Sequence, residues 1–310
     1  MDHFLKHIER ENKRQQELLD APPPAPPIEE KNEHPDSPIF NKLIENKTIA
    51  TFTNFNKNEL LDLYQRCIPF FAAARGRGPR PKTSNLDSLI VLLSCYKSGL
   101  DSARLAAAFN IKEPTLRDLI NRVRPILNVT LRDTWWNRRM RPSPAPGNYP
   151  HVALLIDSTS LEVFRPHGRF DEAKIYFDGK NGIYALKKEV AVMANAPHYA
   201  LFSSAGFVGS RHDYQHFKTN YEVYLEYLTK TLDERKAIPN DAPAFWSVCL
   251  DKGYIGPAED TPEIRRITPR KVIRDDEEKK DSEHISALRV KVECFFGRMT
   301  SIWLITKVNR

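Results

Sequence analysis

The chain has 310 residues, a formal net charge of +7 and 28% charged residues, enough for one large or two ordinary domains. A basic balance favours a polyanionic partner without identifying one. Four scattered cysteines, Cys67, Cys95, Cys249 and Cys294, make no CxxC or Cys/His ligand spacing, which argues against a disulfide framework or a structural zinc and suits a reducing compartment.

The N-terminal MDHFLKHIERENKRQQELL lacks the apolar core of a signal peptide, and no apolar run reaches a membrane span of about 20 residues. A soluble protein is expected. From Ala21 to Pro38 the Pro-rich, charged APPPAPPIEEKNEHPDSP cannot bury enough apolar surface to offset its ordering entropy. Residues 1–40 are therefore read as a disordered segment and linker.

Residues 41–141 carry helical periodicity. Leu86, Leu89, Ile90, Leu93 and Tyr96 recur at helix spacing; SARLAAAFN, the turn IKEP and TLRDLINRVRPIL then give two helices with a tight connection. Two readings stand, a helix-turn-helix or an ordinary helical bundle. In the first, the second helix presents Lys112, Thr115, Arg117 and Arg122 to a groove, with Arg124 and the basic run RDTWWNRRMR for phosphates. RPSPAPGNYP, residues 141–150, stops any helix and marks a domain boundary.

After Pro150 the period changes. HVALLID, YALKKEVAVMAN and HYALFSSAGF read as strands, the last two as a hairpin turning at Asn195 to Pro197. YQHFKTNYEVYLEYLTKTL reads as one amphipathic helix, AFWSVCLD as a fourth strand, and the charge-dense KVIRDDEEKKDSEH as a solvated loop or helix. Residues 150–310 are expected to form an α/β domain with a mixed sheet.

Two strands finish in aspartate, Asp157 and Asp251. If they are parallel neighbours, the two carboxylates sit side by side and call for a cation, Mg²⁺ or Mn²⁺ by donor type. Glu293, in RVKVECFFGR, lies at the edge of an apolar helix face made by Leu288, Val292, Phe295 and Met299, from which it would complete the set. The competing readings are ordinary ones: turn or cap residues for the aspartates, and an i,i+4 pair with Arg289 for Glu293. Asp213, in GSRHDYQHF, fits either a helix N-cap or an auxiliary site residue, and His212 could orient a ligand or phosphate.

In order along the chain, IDSTSLEVFRP, YFDGKNGIYALKKEV, SSAGFVGSRHD, LDKGYIG and RVKVECFFGR resemble the DDE superfamily endonuclease domain of Harbinger-type transposases, or of a transposase-derived protein. The resemblance spans residues 151–298. It implies an RNase H-like fold, catalytic and metal-binding roles for Asp157, Asp251 and Glu293, a divalent cofactor (Mg²⁺ or Mn²⁺), and two-metal cleavage and strand transfer on DNA. Lys252, Arg289 and Arg298 are then candidate phosphate contacts.

Further expectations are no membrane association, a homo-oligomer for an active transposase, a separate DNA-binding partner protein as an added option, and the nucleus for a eukaryotic chain or else the cytoplasm. Two serines, Ser158 and Ser160, stand where the family has glycine and often histidine, and the chain is expected to be C-terminally shortened. The alternative reading is a domesticated DNA-binding or adaptor protein without cleavage.

Overall fold

The computed structural model describes residues 36–74, 81–136, 147–236, 244–270 and 272–306. The expected N-terminal linker up to residue 35, the C-terminal half of the basic run and most of RPSPAPGNYP lie outside them. The chain divides into two compact units, residues 1–139 with 302–310, and residues 140–301.

The first unit is helical. Its elements are α1 (Pro38–Glu45), α2 (Ile49–Thr53), α3 (Lys57–Ala73), α4 (Asn85–Ser98), α5 (Ser102–Ala108) and α6 (Glu113–Leu131). α4 is apolar nearly all round, with every residue from Leu86 to Ser94 buried, as suits a central helix. Its one buried acid, Asp87, accepts the backbone N–H groups of Phe40 (2.9 Å) and Ile39 (3.2 Å) and so satisfies the exposed start of α1. Asp101 caps α5 through the Arg104 amide, and Leu116, Leu119 and Val123 turn α6 inward. Residues after Ile302, read from sequence as the end of the second domain, count with this unit; Trp303 packs on its core beside Phe55, ring centres 6.2 Å apart.

The second unit is a mixed sheet with helices on both faces. Its strands are β1 (Val152–Glu162), β2 (Phe177–Asp178), β3 (Ile183–Met193), β4 (Ala200–Ser203), β5 (Phe207–Val208), β6 (Ser247–Leu250) and β7 (Arg266–Ile267), with the path β2-β3-β1-β6-β7 and both β4 and β5 on β3. β3 runs antiparallel to β1, whereas β1, β6 and β7 are mutually parallel. Short helices α7 (Phe170–Lys174), α8 (Asp213–Thr219), α9 (Tyr221–Leu228) and α10 (Leu232–Lys236) come before β6, and α11 (Asp276–Ile302) closes the unit. α8 and α9 cover one face through Phe217, Tyr224 and Leu228; α11 covers the other through Ile285, Leu288 and Val292. This arrangement fits the RNase H-like architecture expected from the sequence.

Three sequence readings change in detail. β1 does not stop at Asp157 but runs five residues further, because β3 continues to pair with it out to Glu162. The expected strand 198–207 is two pieces, β4 and β5, each paired with β3. The single helix after Asp213 is broken at Asn220, whose side chain turns inward to donate to a buried carboxylate, Glu189 (2.8 Å).

Candidate active site

Parallel pairing sets the site. Ile156 of β1 lies opposite Leu250 of β6, so the next residue on each strand is a carboxylate and the two emerge side by side, Asp157 and Asp251. The apolar run Val152–Ile156 is buried throughout, as a central strand covered on both faces requires. Asp157 accepts the Ser158 backbone N–H at 2.8 Å. Burial pushes its pKa up to about 6; the Ser158 amide and Arg289 oppose the shift, while the like charges of Asp251 and Asp213 add to it.

α11 supplies the third carboxylate. With Leu288 and Val292 turned into the core, Arg289 and Glu293, one turn apart, fall at the edge of the buried face. The Arg289 guanidinium lies 3.2 Å from Asp251 Oδ1 and 3.2 Å from Glu293 Oε1. Glu293 therefore does make the i,i+4 pair, yet the same nitrogen ties it to the end of β6. The three carboxylates do not close on one point: the guanidinium stands between two of them, and among the described residues no three His, Cys, Asp or Glu side chains are placed to hold a metal ion.

The sequence left Asp213 between cap and site. The cap is His212, whose Nδ1 accepts the Tyr214 N–H at 3.3 Å, and Asp213 is the first helical residue. Its Oδ1 lies 3.6 Å from Lys187 Nζ, itself 3.9 Å from Asp178. A Cβ at position 253 would sit 3.0 Å from Asp213 Oδ2, so the glycine of LDKGYIG lets this carboxylate approach the loop after Asp251. A cleft of about 360 Å³ is lined by Asp178, Lys187, His212, Asp213, Asp251 and Gly253, among others. Burial works against ionising Asp178, yet hydrogen bonds from Ser160 (2.6 Å) and Asn181 (2.7 Å), with the charge of Lys187, hold it below the usual carboxylate range.

Beneath the site is a polar cluster the sequence reading missed. Glu189 of β3, opposite Ser158 of β1, is fully buried and accepts Tyr224 O–H at 2.6 Å and Asn220 Nδ2 at 2.8 Å. Burial raises its pKa to about 7 against those two hydrogen bonds. Ser158 Oγ lies 2.7 Å from the Tyr254 hydroxyl and 3.3 Å from His216 Nδ1. Burial, then the charges of Lys187 and Arg211, lowers the His216 pKa to about 4, and its ring stacks on Phe207 at 4.2 Å. Ser158 and Tyr254 follow the two aspartates closely in sequence, so this cluster anchors the backbone next to both. The signal available beforehand was Asn220, a poor helix former in the middle of an amphipathic pattern.

The basic candidates fare unequally. Arg117 is exposed and paired with Glu113 one turn back; Arg122 is half-buried and donates to Ser88 Oγ of α4 at 2.9 Å. Arg124 is half-buried beside Asn121. Lys112 is the residue at the N-cap position of α6 rather than part of its face. Lys252 and Arg298 are exposed.

A family model described as DDE superfamily endonuclease matches residues 156–309, a stretch that includes Asp157, Asp251 and Glu293. No curated protein and no solved structure gives a match.

Proposed function

We propose, from the premise that residues 156–309 belong to the DDE superfamily endonuclease family, that this protein is a transposase-type DNA endonuclease and strand transferase that uses Asp157, Asp251 and Glu293 to cut phosphodiester bonds. The observation that carries the reading is the β1/β6 register, which brings Asp157, within β1, beside Asp251, the residue just after β6, in the matched stretch.

The donor set fits a hard divalent cation, Mg²⁺ or Mn²⁺. Carboxylate oxygens are the donors such ions select, the charges of Asp251 and Asp213 already disfavour an ionised Asp157, and two of the three carboxylates have drawn a cationic side chain. Asp157, Asp251 and Glu293 would hold the metal, with Asp213 as an auxiliary carboxylate. When bound, a pair of such ions activates the attacking oxygen and stabilises the leaving oxygen of an in-line displacement.

The chain's own contribution is to hold these groups still. The Ser158 amide fixes one oxygen of Asp157, while Tyr254 and neutral His216 hold Ser158 from below. In the reaction, water attacks phosphorus at the DNA end and the bond to the 3′-oxygen breaks; the freed 3′-hydroxyl then attacks a phosphorus of the target, releasing a second 3′-oxygen. Lys252 and Arg298 are exposed for phosphate contact in this reading. In the helical unit, α5 and α6 form the proposed helix-turn-helix, with Arg117 and Arg124 toward DNA. Arg122, tied to Ser88, serves the packing of α6 on α4.

One observation favours the domesticated DNA-binding protein instead: Arg289 already neutralises Asp251 and Glu293. Incubation of the full chain with end-labelled candidate terminal DNA and Mg²⁺ decides. Cleavage lost in Asp157→Asn supports the endonuclease; DNA binding without cleavage at any Mg²⁺ or Mn²⁺ concentration overturns it.

A further inference from the structure

We infer that Arg289 is a resident cation that a metal ion has to displace, so that this side chain gates metal loading; the inference rests on the reading of Asp157, Asp251 and Glu293 as ligands. One guanidinium nitrogen of Arg289 is shared between Asp251 Oδ1 and Glu293 Oε1, 3.2 Å from each. An arginine placed purely as a strut tends to use its planar fork bidentately. Here the fork is not used: Nε is buried without a hydrogen-bond partner. Accumulated negative charge explains this position better than hydrogen-bond geometry does.

The surroundings agree. The charges of Asp251 and Asp213 both bear on Asp157, and Lys187 is engaged with Asp178 and Asp213. Arg289 is thus the cation among the described residues that serves Asp251 and Glu293. Its side chain is only 18% exposed, against 52% for Glu293, so the guanidinium lies inside the site rather than over it.

A divalent ion on the same carboxylates repels a guanidinium at this distance, and the two compete for the same lone pairs. Loading therefore expels Arg289, which stays tethered one helical turn from Glu293 and is released toward an anionic partner. Phosphate of the substrate is the chemical class that the freed guanidinium would take. Metal loading and phosphate contact are then linked events.

The test is Mn²⁺ binding by the full chain without DNA, followed by electron paramagnetic resonance. Arg289→Gln is expected to tighten Mn²⁺ binding roughly tenfold, within the ordinary range of coupling between sites, and Arg289→Lys to stay near wild type. Equal or weaker binding in Arg289→Gln overturns the gating role. Asp157→Asn and Glu293→Gln, made in the wild-type and Arg289→Gln chains, separate the two claims. If they weaken Mn²⁺ binding while Arg289→Gln does not tighten it, only the gate is wrong; if they change nothing, the ligand reading falls as well. Should Arg289→Gln not fold, Mg²⁺ titration of the wild-type chain with nitrogen-labelled arginine answers the same question. The Arg289 guanidinium signal is expected to move to that of a solvent-exposed group, and a signal that does not move overturns the gate.

Discussion

Two carboxylates one position out of register on facing strands solve the same problem in opposite ways. Asp157 looks out at the site, where burial, the Ser158 amide and then the charges of Arg289, Asp251 and Asp213 all bear on it. Glu189, paired across from Ser158, looks inward and is managed by neutral donors, Tyr224 and Asn220. A group surrounded by mobile charges can exchange them for an ion or a substrate. One enclosed by fixed hydroxyl and amide donors can only hold shape. On the proposed function, the rim would change partners and the floor would not.

The largest test of that contrast is at the rim. Glu293→Gln keeps the size of the side chain and removes its charge, and cleavage is expected to fall by about a thousandfold, as loss of several kcal/mol of charge stabilisation implies, with DNA affinity unchanged. Single-turnover cleavage and a filter-binding assay on the same DNA measure both. A variant that cuts at the wild-type rate makes Glu293 a helix-edge charge and removes the distinction.

The floor is expected to fail by unfolding instead. Glu189→Leu strands the Asn220 amide and Tyr224 hydroxyl in the core and should cost about 3 kcal/mol, read by urea denaturation; Glu189→Gln keeps an acceptor and should cost less than half of that. Between pH 4.5 and 7 the folded chain holds a proton on Glu189 that the unfolded chain has released. Stability from this group therefore falls as pH rises through that window, by on the order of 3 kcal/mol at most, and Glu189→Gln should flatten the dependence. A chain that grows more stable across the window, by an amount that Glu189→Gln abolishes, reverses the assignment.

The two aspartates were readable because each apolar run closes on one, a local signal that needs only parallel pairing to bring them together, although β1 itself runs on past Asp157. Arg289 was readable as a partner of Glu293 and as a phosphate contact: its second contact, to Asp251, crosses from helix to strand and has no trace in spacing. Glu189 lies inside the expected strand YALKKEVAVMAN and drew no reading of its own. Its burial depends on α8 and α9 closing over that face, which one strand's pattern cannot report. Likewise Arg122 reads as a surface cation on α6 until α4 supplies Ser88.

The smallest effects belong to those helical arginines. Arg117→Ala breaks an exposed pair one turn long and should change stability by no more than about 0.5 kcal/mol, while lowering the salt dependence of DNA binding by roughly one phosphate contact. Arg122→Ala, losing a half-buried hydrogen bond, should cost about 1 kcal/mol and leave the salt slope alone. Paired thermal melts and salt titrations compare them; the reverse pattern would move the DNA-facing side of α6.

α11 enters the sheet with Ile285, Leu288 and Val292 all buried on successive turns. Sliding the helix by one turn to carry Glu293 elsewhere would pull that whole face out of register, so any rearrangement at the rim has to come from side-chain rotation about a stationary axis. Rotations of that kind run on picoseconds to nanoseconds where a side chain is exposed, as Glu293 is, and more slowly where it is mostly buried, as Arg289 is.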